Sequence, residues 1–211
     1  MKKIILVSVV LLITVFAGAQ DKMFSVSLTG GISLPKYIYK YNKVSSPRNI
    51  YQGYTGGVFI EWNKDVSFIS IALGLNYLQA GAINKTPAIA NAVESKNRIN
   101  HFQVEAYFLK FQPVKVFEIR GGFYFNTAMS GQATITKTDG TITKTDFKFG
   151  ITEDNDFHKG DLGLTVKSFI NISRLKLSAA YQMGIDNISA KVPEEIKNRI
   201  FTIGIGYSLI K

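Results

Sequence analysis

Hydrophobic and polar residues alternate most strictly near the end of the chain. From residue 201 to 209 one face reads Phe201, Ile203, Ile205, Tyr207 and Leu209, and the other reads Thr202, Gly204, Gly206 and Ser208. A period of two predicts a β-strand because successive side chains point to opposite faces. The second face is small and uncharged, which is typical of a barrel wall with lipid outside and a narrow lumen inside.

The same alternation recurs along the chain and predicts eight strands. The predicted spans are residues 24–29, 52–62, 69–77, 99–112, 117–126, 160–170, 175–183 and 201–209. Long polar segments such as 34–51 and 83–98 are predicted to be loops, which alternate with short turns at 63–65, 113–115 and 171–174. All 5 prolines fall outside the predicted strands, as ladder hydrogen bonding requires. We therefore predict an all-β fold, an eight-stranded antiparallel up-and-down transmembrane β-barrel.

The face that is predicted to meet lipid carries no charge in the middle of any strand. A Lys or Arg at the bilayer midplane of such a face would cost about 2–4 kcal/mol. Lys110 alone has outward parity, and it is expected to extend to headgroups near a strand end. Tyr54, Tyr77 and Trp62 are expected to form an aromatic girdle.

A short repeat lies between the fifth and sixth predicted strands. Ile135–Asp139 recurs as Ile142–Asp146 around the dipeptide Asp139-Gly140. An Asp-Gly pair between such segments predicts a type I′ hairpin, which we expect to stand beyond the barrel.

The first 19 residues have the form of a secretory leader. Lys2 and Lys3 precede an apolar run from Ile4 to Phe16, which is followed by Ala17-Gly18-Ala19. The alternative, an anchoring helix, needs about 20 apolar residues, and this run is shorter. The sequence thus predicts a signal peptide at 1–19 and a barrel domain at 20–211. In an outer-membrane barrel the short turns are periplasmic, so both termini are expected in the periplasm.

Composition narrows the set of partners. There is no cysteine, which excludes a lipid anchor on Cys, disulfides and thiolate metal sites. Without Lys2 and Lys3, 23 basic residues remain against 15 acidic ones, a net charge of +8. An exported chain seldom meets nucleic acid. Outer-membrane lipids, lipopolysaccharide among them, are therefore the expected partners, with envelope proteins as a second class; the pattern does not predict an oligomeric state.

Several motifs also suggest a family. In order along the chain they are Gly30-Gly31, Tyr54–Trp62, Phe102–Phe111, Gly121–Phe125 and Asn198–Tyr207. Their order resembles the PorT-type outer-membrane β-barrel family of Gram-negative bacteria. The resemblance implies an outer-membrane barrel, and one branch of that family is linked to protein secretion and gliding.

Six charged residues have inward parity, and we interpret them as one lumen network: Glu61, Glu105, Glu118, Arg120, Lys167 and Lys176. Charges in a narrow lumen must be paired. An eight-stranded barrel is only about wide enough for its own side chains, so we expect an ionic plug. The alternative is a gated pore or a proton path.

The predicted loop 34–51 is rich in tyrosine and basic residues. It contains Lys36, Tyr37, Tyr39, Lys40 and Tyr41, together with Lys43, Arg48 and Tyr51. This composition predicts a surface for lipopolysaccharide or a protein partner. The alternative is an aromatic girdle continued by a solvated loop.

No motif indicates catalysis or a metal site. The two histidines, His101 and His158, are expected at the loop rim, where histidines are usually solvated. The acidic run 153–156, with His158 and Asp161, offers oxygen ligands for Ca²⁺ but lacks the glycine-positioned spacing of a calcium loop. We therefore expect neither an enzyme nor a cofactor nor a metal.

The sequence as a whole predicts a non-enzymatic outer-membrane scaffold that displays extracellular loops, accessory to a secretion or envelope complex. The first alternative is a channel for small solutes. The second, a soluble lipocalin-like binder, would need an apolar lumen and a polar exterior, which is the reverse of the observed parity.

Overall fold

A computed structural model describes residues 24–41, 44–47, 49–62, 69–85 and 91–210. The predicted signal peptide and the predicted turn at 63–65 lie outside the described residues. The described strands are β1 (Phe24–Tyr41), β2 (Val44–Pro47), β3 (Asn49–Ile50), β4 (Gly53–Trp62), β5 (Ile69–Asn84), β6 (Ala92–Val114), β7 (Phe117–Lys137), β8 (Ile142–Asp146), β9 (Gly160–Ile172), β10 (Leu175–Gly184) and β11 (Glu194–Ile210). Within these ranges, no helix is long and apolar enough to cross a membrane.

Eight of the strands form a closed antiparallel ring. Their order is β1, β4, β5, β6, β7, β9, β10 and β11, and β11 pairs back with β1. The closing ladder runs from Val26 opposite Ile210 to Tyr41 opposite Glu194. The short strands β2, β3 and β8 pair with the ends of β1, β5 and β7. The predicted all-β, eight-stranded antiparallel up-and-down fold is confirmed.

The two ends of the ring differ. At one end, here called the turn end, Val114 leads to Phe117 and Ile172 leads to Leu175 through tight turns. Phe24 and Ile210 lie at the same end. The opposite end, here called the loop end, carries the longer connections and the extra short strands.

The barrel is apolar outside and polar inside. Val166 and Ile203 are 53% and 54% exposed, whereas Asn126 and Gln182 in the lumen are 0% and 1% exposed. Apolar side chains are exposed in the same way on strands all around the ring, among them Leu28, Ile71, Leu75, Phe102, Phe123, Phe125, Leu162, Leu164, Leu177 and Ile205. The predicted alternation is therefore confirmed across most of the wall. Val26, which a strict alternation places on the same face as the exposed Leu28, is instead buried beside a register shift in β1.

Lys110 is the main error in the predicted parity. A register shift on β6 inserts one extra residue between Tyr107 and Leu109. Phe108 and Leu109 both face outward, so the alternation restarts and Lys110 points into the lumen, where it is 3% exposed. The expectation that Lys110 extends outward to headgroups is wrong.

The strands also run farther than the alternation indicated. β1 continues to Tyr41, β6 begins at Ala92, β7 continues to Lys137 and β11 begins at Glu194. The segments predicted as loops at 34–51 and 83–98 are thus largely strand. These extensions lie toward the loop end, where backbone pairing continues although the alternation of apolar and polar side chains does not.

Pro35 lies inside β1, opposite Ile200, contrary to the expectation that every proline avoids strands. Its carbonyl oxygen accepts a hydrogen bond from the amide of Tyr51 at 3.0 Å, on the side away from β11. The N–H and C=O of a strand residue point to the same side, so the missing N–H removes no bond to β11. Pro113 lies near a register shift of β6, and Pro47 ends β2.

The hairpin formed by β7 and β8 is confirmed, but its turn type is not. Only Gly140 has a positive φ in this turn, at 82°, whereas a type I′ turn needs two such residues. The Gly140 amide donates to Lys137 O at 3.1 Å, and the Lys137 amide donates to Thr141 O at 3.0 Å. This is a three-residue connection with glycine in the left-handed position, one residue longer than the predicted two-residue turn.

Candidate functional site

Five charged side chains meet inside the turn end of the barrel: Glu61, Lys110, Glu118, Arg120 and Lys176. We call them the turn-end cluster. Arg120 pairs with Glu61 and with Glu118, the latter at 3.1 Å from Nε. Lys110 Nζ lies 3.2 Å from Glu61 and 3.8 Å from Glu118, and Lys176 Nζ lies 3.6 Å from Glu61. Glu61 is therefore the acceptor that holds three cations together.

The turn-end cluster has three cations and two carboxylates, and Arg120 is fully buried. Two features offset the excess positive charge. The ring of Phe59 lies 5.6 Å from Arg120 Cζ and 5.5 Å from Lys176 Nζ, in cation–π range. A cavity of about 740 Å³ opens beneath the cluster at the turn end and brings solvent close to Lys176.

A second polar layer fills the middle of the lumen around Glu105. Lys167 Nζ lies 3.2 Å from one carboxylate oxygen, and Gln182 Nε2 donates to the other at 2.7 Å. Gly74 makes room for this carboxylate, since a Cβ there would lie 2.6 Å from Oε2. The space left in this layer is about 20 Å³, roughly enough for one water molecule.

Asp161 is the center of a third layer, toward the loop end. Its Oδ2 accepts hydrogen bonds from Asn198 at 2.7 Å, Asn126 at 3.1 Å and Tyr124 at 3.2 Å. These donors come from β11 and β7, so one carboxylate on β9 ties three strands together. Asp161 thus belongs to the lumen and not to the acidic loop with which the sequence grouped it.

Apolar residues fill the lumen beside Asp161 and toward the loop end. Leu78, Ala80 and Ile200 form one buried group, and Tyr37, Ile99, Phe157, Ile188 and Ile196 belong to the next. Phe157 comes from the long connection between β8 and β9 and packs edge-on against Phe147, with ring centroids 4.8 Å apart. The lumen is therefore filled from the turn end to the loop end.

A cavity of about 390 Å³ remains at the loop end, next to these buried apolar side chains. Its lining includes Tyr39, Asn97, Phe147, Asp156 and Glu194. Asp156 bridges two segments at one side of this cavity. Its carboxylate accepts hydrogen bonds from the Lys148 amide at 3.0 Å and from Lys191 Nζ at 2.9 Å. Partial burial raises the pKa of Asp156, but these hydrogen bonds outweigh it and bring the pKa below its ordinary value. The Asp156 carboxyl is therefore ionized at neutral pH.

The six charges predicted to form one lumen network all point inward but divide into two groups. Glu61, Glu118, Arg120 and Lys176 lie in the turn-end cluster, whereas Glu105 pairs with Lys167 in the middle layer. Lys110, Asp161 and Asn198 belong to the lumen and were missed. For Lys110 the signal was present in the sequence, because Leu109, Lys110 and Phe111 alternate correctly once the two apolar neighbors Phe108 and Leu109 are read as a bulge.

The predicted loop surface is divided by the wall of the barrel. Tyr37 is buried in the lumen at 2% exposure, and the Tyr39 hydroxyl donates a hydrogen bond to the Glu194 carboxylate at 2.9 Å. Lys36 and Lys40 alternate with them along β1 and lie on the outer side, and Tyr41 ends the strand at 49% exposure. These five residues do not form one continuous surface.

The candidate metal and catalytic residues do not converge. His101 is buried at 4% exposure, so the expectation that it is solvated is wrong. In the acidic run 153–156, Asn155 bonds to Thr152 and Asp156 bonds to Lys191. Asp161, the further candidate ligand, points into the lumen. Among the described residues, no three acidic or histidine side chains are placed to hold a metal ion.

No family model matches the chain, and no curated protein matches it. Solved structures of small bacterial outer-membrane barrels are similar to it. The attachment invasion locus protein Ail of Yersinia pestis, solved with the heparin analogue sucrose octasulfate, matches with a TM-score of 0.50 and 12% identity over 89% of this chain and 99% of that one. Neisserial surface protein A gives a TM-score of 0.49 and 10% identity over 86% and 96%. At such low identity the likeness to Ail shows the barrel fold.

Proposed function

We propose that this protein is an integral outer-membrane β-barrel that performs no catalysis and acts as a rigid scaffold for its loop end. The observation that carries the proposal is the inverted distribution of side chains, with a continuous apolar exterior around a polar, filled lumen. A soluble protein rarely exposes contiguous apolar patches of more than a few hundred Å². A bilayer removes this surface from water, and the closed ring leaves no unpaired strand edge within the lipid.

The loop end is the part of the scaffold that is suited to recognition. β6 and β7 extend beyond the apolar belt, and the 390 Å³ cavity opens there between aromatic, amide and carboxylate side chains. In the proposed orientation this end is extracellular, and the turn end, with both termini, is periplasmic. The proposed partners are outer-membrane lipids, including lipopolysaccharide, and envelope proteins. The motif order further supports a PorT-type barrel that is accessory to a secretion or envelope complex, exported by the signal peptide at 1–19.

The proposal is tested by expressing the full-length protein in a Gram-negative host and separating the membranes. We expect the protein in the outer membrane, and we expect unboiled and boiled samples to migrate differently on a gel because the closed barrel resists detergent until it is heated. A protein that is found soluble in the periplasm, with no shift on heating, would contradict the proposal.

A channel for small solutes is the other candidate function, and the filled lumen argues against it. We expect the wild type to show no discrete conductance in planar bilayers. The Arg120→Ala variant should also show no discrete conductance, because the Glu105 layer and the buried apolar group around Ile200 do not depend on Arg120. A stepwise rise in conductance for Arg120→Ala, with a general porin as the positive control, would instead favor a gated pore.

A further inference from the structure

Two cations face each other on the outside of the barrel. Lys36 on β1 and Arg199 on β11 are direct cross-strand partners, and both lie on the outer face because their neighbors Tyr37 and Ile200 are buried in the lumen. Like charges directly opposite each other destabilize a sheet. This arrangement therefore needs a compensating anion.

No described carboxylate compensates this pair. Along the same face the next acid is Glu195, which is already engaged by Lys40 at 3.6 Å and Lys197 at 3.1 Å. Among the described residues, neither Lys36 nor Arg199 forms an ion pair. Arg199 donates from Nη1 to the carbonyl oxygens of Gly184 at 3.0 Å and Asn198 at 2.9 Å. These bonds fix the guanidinium in place and leave Nε and Nη2 available for an oxygen ligand.

The cations stand at the edge of an apolar groove of about 390 Å³. Its remaining lining is Leu34, Ile38, Ile50, Tyr181 and Phe201. Ile50 and Tyr181 are 55% and 50% exposed, so the groove is open to the surroundings of the barrel. The site therefore combines two positive charges, one of them held in place by hydrogen bonds, with an exposed apolar surface.

The position of the pair along the barrel matches the level of lipid headgroups. Toward the turn end, the outward side chains on β1 and β11 are uncharged, beginning with Leu34 and Phe201. Toward the loop end, Ile38 faces Lys197 and Lys40 faces Glu195. Lys36 and Arg199 thus form the first charged layer next to the apolar belt, where a bilayer places its phosphates.

We propose that this groove binds a phosphate-bearing lipid of the outer leaflet. The phosphate would lie between Lys36 and Arg199, whose guanidinium suits two-point contact with phosphate oxygens, and an acyl chain would lie along Leu34, Phe201 and Tyr181. This inference rests on the proposed insertion in the outer membrane and adds a defined lipid site to it.

Native mass spectrometry of the detergent-purified barrel, titrated with diphosphoryl lipid A, tests the inference. The double variant Lys36→Gln/Arg199→Gln should bind roughly 30-fold more weakly than the wild type, since each basic residue near a lipid headgroup contributes severalfold to affinity. The matched control is Lys40→Gln/Lys197→Gln, which removes two outward cations from the same two strands. Because Glu195 already pairs with both of those lysines, the control should bind almost as well as the wild type.

Three results would overturn the site. One is an equal loss, or no loss, in the two double variants. Another is unchanged binding of lipid A whose phosphates have been removed. The third is displacement of lipid A by millimolar inorganic phosphate, which would identify a site for free anions.

The gel shift on heating is measured on every variant as a check of the closed barrel. The single variants Lys36→Gln and Arg199→Gln replace the double variant if its shift is lost. A wild type that lacks both the shift and outer-membrane location would refute the proposed function. A folded, membrane-inserted wild type whose lipid binding ignores Lys36 and Arg199 would refute only the lipid site.

Discussion

Replacing Glu61 with alanine is expected to lower the free energy of unfolding by about 3–5 kcal/mol, the cost of removing one partner from a buried ion pair. Glu61 accepts from Arg120 and Lys110 and lies 3.6 Å from Lys176, so its loss leaves Glu118 as the one carboxylate among three cations. Lys176 lies beside the turn-end cavity and can move toward water. Arg120, which is fully buried, cannot do so without moving strand β7.

Reversible urea unfolding in lipid vesicles, followed by the fluorescence of Trp62 and by the gel shift on heating, measures this loss. Glu195→Ala is the matched control, because Glu195 also pairs with two lysines but does so on the surface. Its unfolding midpoint should not move measurably. Equal midpoints for Glu61→Ala and Glu195→Ala would mean that the turn-end cluster contributes nothing to stability, and the ionic plug would then have to be abandoned.

The part of the fold that the sequence predicts well is the apolar belt, which the proposed insertion places in lipid. There the outer face has to be apolar and the inner face small or polar, so alternation marks each strand, as at Phe201–Leu209. Beyond the apolar belt both faces of a strand meet water or other side chains, and the alternation ends although the backbone pairing continues. This is why Lys36–Tyr41 and Ala92–Arg98 resembled loops.

A bulge explains the error at Lys110. Inserting Phe108 into β6 reverses the parity of Leu109, Lys110 and Phe111, and a second register shift follows before Val114. A fixed period of two cannot represent these changes. There is a second, independent argument for the inward orientation of Lys110: an ammonium group without a partner is costly outside water. Lys110 next to the inward Glu61 and Glu118 is stable only if it also points inward, but recognizing this requires the cross-strand register.

Partners in the lumen could be predicted as a class but not as pairs. Inward parity identified six of the lumen charges, and Gln103, Asn126 and Gln182 fall on the same inner face. Which of them meet depends on the stagger between strands. The stagger brings Lys167 to Glu105, 62 residues away, and brings Asn198 on β11 to Asp161 on β9, past the intervening strand β10. Nothing local in the sequence encodes that stagger.

Replacing Val166 with lysine is expected to lower the free energy of unfolding in lipid vesicles by about 2–4 kcal/mol, the cost of a cation at the midplane of a barrel's outer face. Val166 lies at the center of β9 and is 53% exposed, and its cross-strand neighbors are Gly121 and Tyr181. Neither neighbor offers a carboxylate to the new ammonium. The same urea titration measures the effect.

Ile172→Lys provides the control, on the same strand and the same face. Ile172 is 56% exposed, so in water the two substitutions would be equivalent and nearly neutral. In a bilayer they differ, because Ile172 lies at the turn end, where a lysine reaches headgroups and costs about 0–1 kcal/mol. The difference between the two variants therefore measures depth in an apolar medium. Equal unfolding energies for the two lysine variants would mean that the apolar belt of this barrel does not face lipid, and the proposed membrane location would fail with it.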